Sequence, residues 1–593
     1  MNRASRSVGA PVAAGSMTHR QVLEALSGLL LGMFVSILAN TVVSTSLPLI
    51  LSDLKGSQSA YTWVVTATLL ATTVSTPIWG KFADLFNRKL LIQLALAVFV
   101  IGSALAGLSQ DAGTLIAFRV LQGLGAGGLV ALSQIIMADI ISPRERGRYA
   151  GLFGAVMALG TIGGPLLGGV VTDAFGWRWN FFIALPVAIV AIVLLQRTLH
   201  LPARVKRVVR IDYLGAALIT SGVSLLLIWV TLAGSQFEWQ SLTSFAMLIG
   251  AVVLLVAAVI VEFRAPEPII PLGLFRNRTF SLTTVASLAV GVSLFGTSVF
   301  LSQYMQLARG ATPTQSGLLT VPMMGGLLIS STLFGTMISR RGTWKSIMVS
   351  GSVLMLVGTT LLGTLDVHTS LVFVGIYMFI LGAGVGMVMQ NLVLVVQNTI
   401  EVKHLGVATS SVTFFRSLGG AVGVSVMGSI LGSVVATQIT SGVGDLSPSR
   451  QADAGRLLGD GVIPQVNLLP DVLRIIVETA YGSGVGTIFL ISAPLVLVTL
   501  VTVSLLPNHP LGTETGIDRV RSAAAEPESA AQREVEDVED ILIDVSAASA
   551  GLRPVGLAHE TQSIRTVAQD ADQPDRSDQP NRSAGSAGTS RDE

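Results

Sequence analysis

Four groups of residues in this 593-residue chain have the types and spacing to do chemistry. In Arg119-Val120-Leu121-Gln122-Gly123-Leu124-Gly125-Ala126-Gly127 a guanidinium and an amide three residues apart share one helix face within an apolar stretch. A charge so placed is costly in a bilayer and must face a water-filled path or a partner, so its chemistry is ligand binding or charge compensation. Arg416, in Phe414-Phe415-Arg416-Ser417-Leu418-Gly419-Gly420, is a second such guanidinium. Polar side chains that could satisfy them are Asn40, Thr41 and Gln122 for Arg119, and Gln390, Asn391 and Gln397 for Arg416. In Gly80-Lys81-Phe82-Ala83-Asp84-Leu85-Phe86-Asn87-Arg88-Lys89, glycine permits close helix contact while Asp84 can pair with Arg88 or accept helix N-terminal amides, the makings of a conformational latch. The run from Gly160 to Gly169, with Gly164, Pro165 and Gly168, combines close packing with a proline break and reads as a hinge.

Other chemistries lack residues to carry them. There is no Gly-x-x-x-x-Gly-Lys-Ser/Thr, and Gly80-Lys81 is followed by Phe82, so an ATP-driven pump would need another chain. Neither His-Glu-x-x-His nor Gly-x-Ser-x-Gly occurs, the 6 histidines fall in loops, tails or helix ends, and the 0 cysteines exclude disulfides and thiolate sites. No enzyme, cofactor or metal is expected, and a net charge of +2 suggests no nucleic-acid partner.

The elements that must position these groups are membrane spans. Hydrophobic residues make up 51% of the chain and charged ones 12%, and about fourteen apolar stretches of spanning length run from residue 26 to residue 505. They begin near Leu26, Tyr61, Leu90, Thr114, Ala150, Phe181, Leu214, Phe245, Leu282, Gly317, Ser346, Ser370, Val407 and Thr487. Lys and Arg cluster in alternate loops (Lys81, Arg88, Lys89; Arg144, Arg146, Arg148; Arg340, Arg341, Lys345), which makes those loops and both termini cytoplasmic. Gly123, Gly125 and Gly127 with Gly163-Gly164 are echoed by Gly382, Gly384 and Gly386 with Gly419-Gly420, implying two repeated bundles. The expected organisation is a cytoplasmic segment 1–21, a six-helix bundle 22–200, an inserted helix pair 201–265 and a second six-helix bundle 266–507 with an external loop 437–481. A cytoplasmic tail 508–593 without aromatic residues is expected to be disordered. Within it Val535, Val538, Ile541, Leu542 and Val545 recur at helical spacing, a candidate partner-binding helix.

In this order and at these separations the motifs resemble the major facilitator superfamily, specifically its fourteen-span drug:proton antiporter branch. Asp84 with Arg88 and Lys89 is similar to the family's loop motif, Arg119 with Gln122 and Gly123 to its span-four motif, and Gly164-Pro165 with Gly168-Gly169 to its antiporter motif. Trp177-Arg178-Trp179-Asn180-Phe181-Phe182, Pro271-Leu272 through Phe275, and the Phe414 to Gly420 run match that branch further. The resemblance implies an all-α polytopic fold of two six-helix bundles plus two inserted helices.

One departure bears on mechanism. The family usually carries an Asp in span one, whereas this chain reads Leu38-Ala39-Asn40-Thr41, and Asp84, Asp139, Asp173, Asp212, Glu262 and Asp366 all fall at span ends or in loops. Three readings stay open: coupling through a boundary carboxylate (Asp139, Asp84 or Asp53) whose pKa burial raises, transport without tight proton coupling, or an Arg119 that binds an anionic or zwitterionic headgroup. The expectation is an inner-membrane exporter of hydrophobic or amphipathic small molecules, working by alternating access and driven by protons. Alternatives are export of an endogenous lipid or envelope precursor, and a receptor or scaffold acting through its tail.

Overall fold

The computed structural model describes residues 19–515 except 55–57, 200–211, 235, 312, 445, 449, 452–453, 455–468, and also residue 518. It is helical throughout. Seven helices make the six spans of the first bundle: α1 (His19–Asp53), α2 (Gln58–Leu85), α3 (Arg88–Gly107), α4 (Ala112–Ile140), α5 (Pro143–Phe175), and the short α6 (Trp179–Phe182) running into α7 (Ala184–Thr198). Then come α8 (Tyr213–Leu232) and α9 (Leu242–Arg264). The second bundle comprises α10 (Arg278–Gln303), the short α11 (Pro313–Leu319) leading into α12 (Val321–Arg341), α13 (Lys345–Leu362), α14 (Leu371–Thr399), α15 (Leu405–Gly444) and α16 (Asp471–Ser504). Among the described residues thirteen helical stretches are long and apolar enough to cross a membrane; the 28-residue α2, with its threonines and serines, is the fourteenth of spanning length, about 42 Å.

Local sequence sets the helix ends. Asn87, Asp111, Ser241, Asn277 and Ser370 each cap the helix that follows through a side-chain oxygen accepting main-chain N–H. Gly342, left-handed at φ 71°, terminates α12. Each bundle has its own apolar core, one around Leu26, Phe99 and Phe153, the other around Tyr304, Met387 and Phe489. Met323, Met387 and Met389 pack inside that second core. α9 buries only Ser244, Ala251, Ala258 and Glu262 and leaves Val252, Val253, Val256 and Ile260 bare, as a lipid-facing helix must.

The glycine echo corresponds to equivalent packing. Gly123 and Gly127 lie against α2 and Gly125 against α3; Gly382 and Gly386 lie against α12 and Gly384 against α13. Gly164 meets α1 at Thr41, and Gly419 meets α10 at the Leu288 carbonyl. A Cβ at any of these positions would collide with neighbouring atoms, so glycine lets the helix axes approach.

Three boundaries differ from the sequence expectation. α16 begins at Asp471, well before Thr487: Val472, Leu473, Ile475 and Ile476, which fall within the expected external loop 437–481, belong to the same helix. It packs along α15, with Ile476 against Gly442 and Ser483 bonded to Gln438 at 2.7 Å. Residues 508–515, expected to be tail, are packed: Leu511 is buried and His509, Pro510 and Gly512 accept or donate hydrogen bonds to the bundles. The rest of the tail, including the Val535 to Val545 pattern, lies outside the described residues, as do residues 1–18. Finally, α5 runs through Gly164-Pro165 without a break, because Gly160, Gly164 and Gly168 form one continuous face against Ile37, Thr41 and Val42 of α1.

Candidate functional site

Asp84 and Arg88 stand at the junction of α2 and α3, one helical turn apart. Asp84 belongs to the first bundle, yet its two carboxylate oxygens accept the main-chain N–H groups of Gly406 (2.8 Å) and Val407 (2.9 Å) at the start of α15 in the second. The first amides of a helix have no partner within it and carry its positive end, so a carboxylate from outside is the complement they need. Arg88 donates to Asp84 at 3.4 Å, to the Ala83 carbonyl at 2.9 Å, and to Asp139 at the end of α4. All three charged groups are buried, although the sequence places them at helix ends. Gly80 and Gly406 make the approach feasible: a Cβ on Gly80 would strike Ser410, and one on Gly406 would strike Asp84. Lys89 lies apart, donating to the Gln196 carbonyl of α7 at 2.9 Å. The inserted pair covers this seam, α8 packing with Val74 of α2 and Phe414 of α15, while Lys81 pairs at 2.7 Å with Glu267 beyond α9.

The second seam, between α5 and α12, is related to the first by the internal repeat. Gly147, Gly151 and Gly154 press against Gly335, Thr332 and Ser331. Here the helix-start amide of Arg144 donates to the Gly512 carbonyl at 3.1 Å. Gly512 is in turn held by Asn398, which accepts from its N–H (2.8 Å) and donates to the Pro510 carbonyl (3.0 Å), and Trp344 donates to the His509 carbonyl (2.8 Å). Buried Arg146 crosses the seam to Gln397 Oε1 at 2.5 Å. Gln390 lines a cavity of about 20 Å³ beside Arg146 and Gln397, room for about one water. All these cross-bundle contacts lie at the face with the basic loops.

Deeper in the bundles, Arg119 donates to Gln122 Oε1 (2.6 Å) and to Asn40 Oδ1 (3.4 Å), its Nε enclosed without a partner. Arg416 is buried, 7% exposed, and none of its proposed amide partners reaches it: Asn391 donates to the Met387 carbonyl, and Gln397 is taken by Arg146, Thr409 and the Gln134 carbonyl. Asp53, the third boundary carboxylate, is exposed at the opposite rim. It accepts from Trp177 Nε1 (2.9 Å) and Arg178 (3.1 Å), and these bonds hold its carboxyl below the usual carboxylate range, the reverse of the rise expected from burial.

Repeated bundles, glycine-lined seams and a cross-bundle carboxylate meet in one chain, and the model of the Major Facilitator Superfamily matches residues 29–424. The chain belongs to that superfamily. It is 36% identical over 485 residues to an MFS-type transporter of Mycobacterium tuberculosis, covering 82% of this chain and 69% of the relative. To the multidrug transporter protein MdtP of Bacillus subtilis it is 34% identical over 456 residues, 77% of this chain and 80% of that one. The human organic anion transporter MFSD10 superposes with a TM-score of 0.56 over 81% of this chain and 99% of its own, at 16% identity, a likeness of fold alone. This facilitator is therefore a multi-pass membrane transporter with multidrug transporters among its relatives.

Sequence reasoning missed several residues of the facilitator's seams. Arg146 and Lys81 read as loop charges but are buried partners of Gln397 and Glu267. Gly406 carried no motif of its own; only the approach of Gly80 gives it a role. The Trp177 to Phe182 run, noted as a likeness, pins the opposite rim: Asn180 donates to both Ser46 and Thr172 at 2.7 Å.

Proposed function

We propose that this protein exports hydrophobic or amphipathic small molecules from the cell by alternating access, drawing on the proton gradient, with both termini on the cytoplasmic side of the inner membrane. The observation that carries the reading is the Asp84 carboxylate of one bundle bound to the first amides of α15 in the other. A contact of that kind is made in the state closed on the basic-loop face and must break for that face to open. With Ala39 where the family's acid would stand, Asp139 and Asp84 around Arg88 are the acids that can link proton uptake to opening. Protonation of Asp139 would leave Asp84 as the sole counter-ion of Arg88, drawing that carboxylate toward the guanidinium and away from the α15 amides; protonation of Asp84 would weaken those bonds directly.

The relatives described as multidrug transporters support the substrate class. The test is efflux of lipophilic dyes of differing charge from proteoliposomes, with and without an imposed proton gradient. Wild type should show gradient-driven efflux, and Asp139→Asn should lose the gradient dependence while retaining passive exchange. Efflux indifferent to the gradient in wild type removes proton coupling, and absence of any dye movement removes the export reading.

A further inference from the structure

Among the described residues, Arg416 stands out as a buried guanidinium that makes no hydrogen bond and no ion pair. Its Nη1 is fully enclosed without an acceptor. Of the other buried arginines, Arg88 is satisfied by Asp84 and Asp139 and Arg146 by Gln397 and the carbonyls of Ala138 and Ile141, while Arg119 keeps two amide partners and an unmatched Nε. Among the described residues the buried acids are engaged elsewhere. Asp84 and Asp139 serve Arg88, and Glu262 accepts the main-chain N–H groups of Ile269 (3.2 Å) and Ile270 (3.1 Å). Leaving a guanidinium unmatched in the membrane interior costs about 3 kcal/mol or more, which the fold has no structural reason to bear here.

The helices around it carry hydroxyls that can donate to an oxyanion. α15 lies against α10 at Gly291, which abuts the Arg416 carbonyl, and at Gly419. These two helices also carry Thr284, Ser287 and Ser411, whose buried hydroxyls meet no partner. In the first bundle Arg119 is met by the neutral amides of Gln122 and Asn40, and Ala39, beside Asn40 on α1, brings no charge. Around these two guanidinium groups the described residues pair no carboxylate with either, so the interior is positive at two levels, which disfavours a cationic cargo and suits an anion. A planar guanidinium matches carboxylate, sulfonate or phosphate oxygens in a two-pronged geometry that an ammonium cannot offer.

We propose that Arg416 binds the anionic headgroup of the cargo, with Arg119 as a second electrostatic contributor, so that the physiological substrates are anionic amphiphiles. The proposal rests on the export reading above and narrows it to a charge class.

The test uses the full chain in neutral-lipid nanodiscs and proteoliposomes with three shape-matched probes: dansyl-tagged undecanoate, its primary amide, and its terminal-amine counterpart. Wild type should bind the carboxylate at least tenfold more tightly than the amide and bind the amine weakest. Arg416→Gln should lose at least tenfold in affinity for the carboxylate with the amide unchanged, the unchanged amide also certifying the fold, and Arg416→Lys should recover part of the loss. Equal binding of carboxylate and amide by wild type, or equal loss of both in Arg416→Gln, overturns the proposal and makes Arg416 structural. A carboxylate that binds through Arg416 but never crosses the proteoliposome membrane also overturns it, marking a resident anionic lipid. In each of these cases continued export of the amide leaves the export reading standing, whereas failure to move any of the three probes removes that reading itself.

Discussion

Removing the Asp84 carboxylate should open the basic-loop face. Asp84→Ala deletes two charge-assisted hydrogen bonds, at 2.8 and 2.9 Å, and one of the two acids that hold Arg88. Each such bond contributes about 1.5–3 kcal/mol, but the freed amides sit at a helix start on the rim where water can replace the carboxylate, so a net loss of about 2–4 kcal/mol is expected. At one decade per about 1.4 kcal/mol, the population open on that face should rise about 30- to 1,000-fold. The absence of cysteine allows a clean readout: Ser331→Cys places one thiol at a position buried against Gly154 in the α5 and α12 seam. In inside-out vesicles a membrane-impermeant maleimide reaches that thiol only when the seam parts, so the labelling rate follows the open population. Asp84→Ala should label about 30-fold faster or more. Asp84→Asn, which keeps one acceptor oxygen but turns an N–H toward an amide donor, should fall between. Labelling of Asp84→Ala within twofold of the parent would refute the latch, because the two bonds would then carry no net preference for the closed state.

Two further outcomes follow from the packing. Gly164→Leu forces a side chain into Thr41 of α1, an overpacking cost of about 1–3 kcal/mol in a helix pair that must stay close; the protein should still reach the membrane but lose transport, and wild-type efflux would remove Gly164 from the mechanism. Asn398→Ala frees the strap at Pro510 and Gly512, and with it the acceptor for the Arg144 amide, so labelling at Ser331→Cys should rise about tenfold for a loss of about 1–2 kcal/mol; an unchanged rate would make the strap a passive passenger.

The order of spans, their repeat and the class of the protein were legible in the amino-acid sequence, for reasons that are local. An apolar run such as Leu90 to Leu108 has no polar face for water, and glycines at a fixed spacing declare close helix contacts before the partner is known. Arg119 with Gln122 could likewise be paired from spacing alone, since residues three apart share a helix face. What the sequence could not reveal was which polar groups meet across the bundles. Asp84 lies 322 residues from the Gly406 amide it caps and Arg146 251 from Gln397, so no periodicity links them. For the same reason a basic residue near a span end reads as a solvated loop charge until the partner bundle buries it, as happened to Lys81 and Arg146. The isolation of Arg416 is the counterpart: three amides on the preceding span looked available, and only the packed helices show Asn391 and Gln397 committed elsewhere and Gln390 lining a small cavity beside Arg146. Local hydrophobicity and small-residue spacing determine which segments become helices and which faces approach; the pairing of the few buried charges depends on long-range placement, and only the tertiary structure decided it.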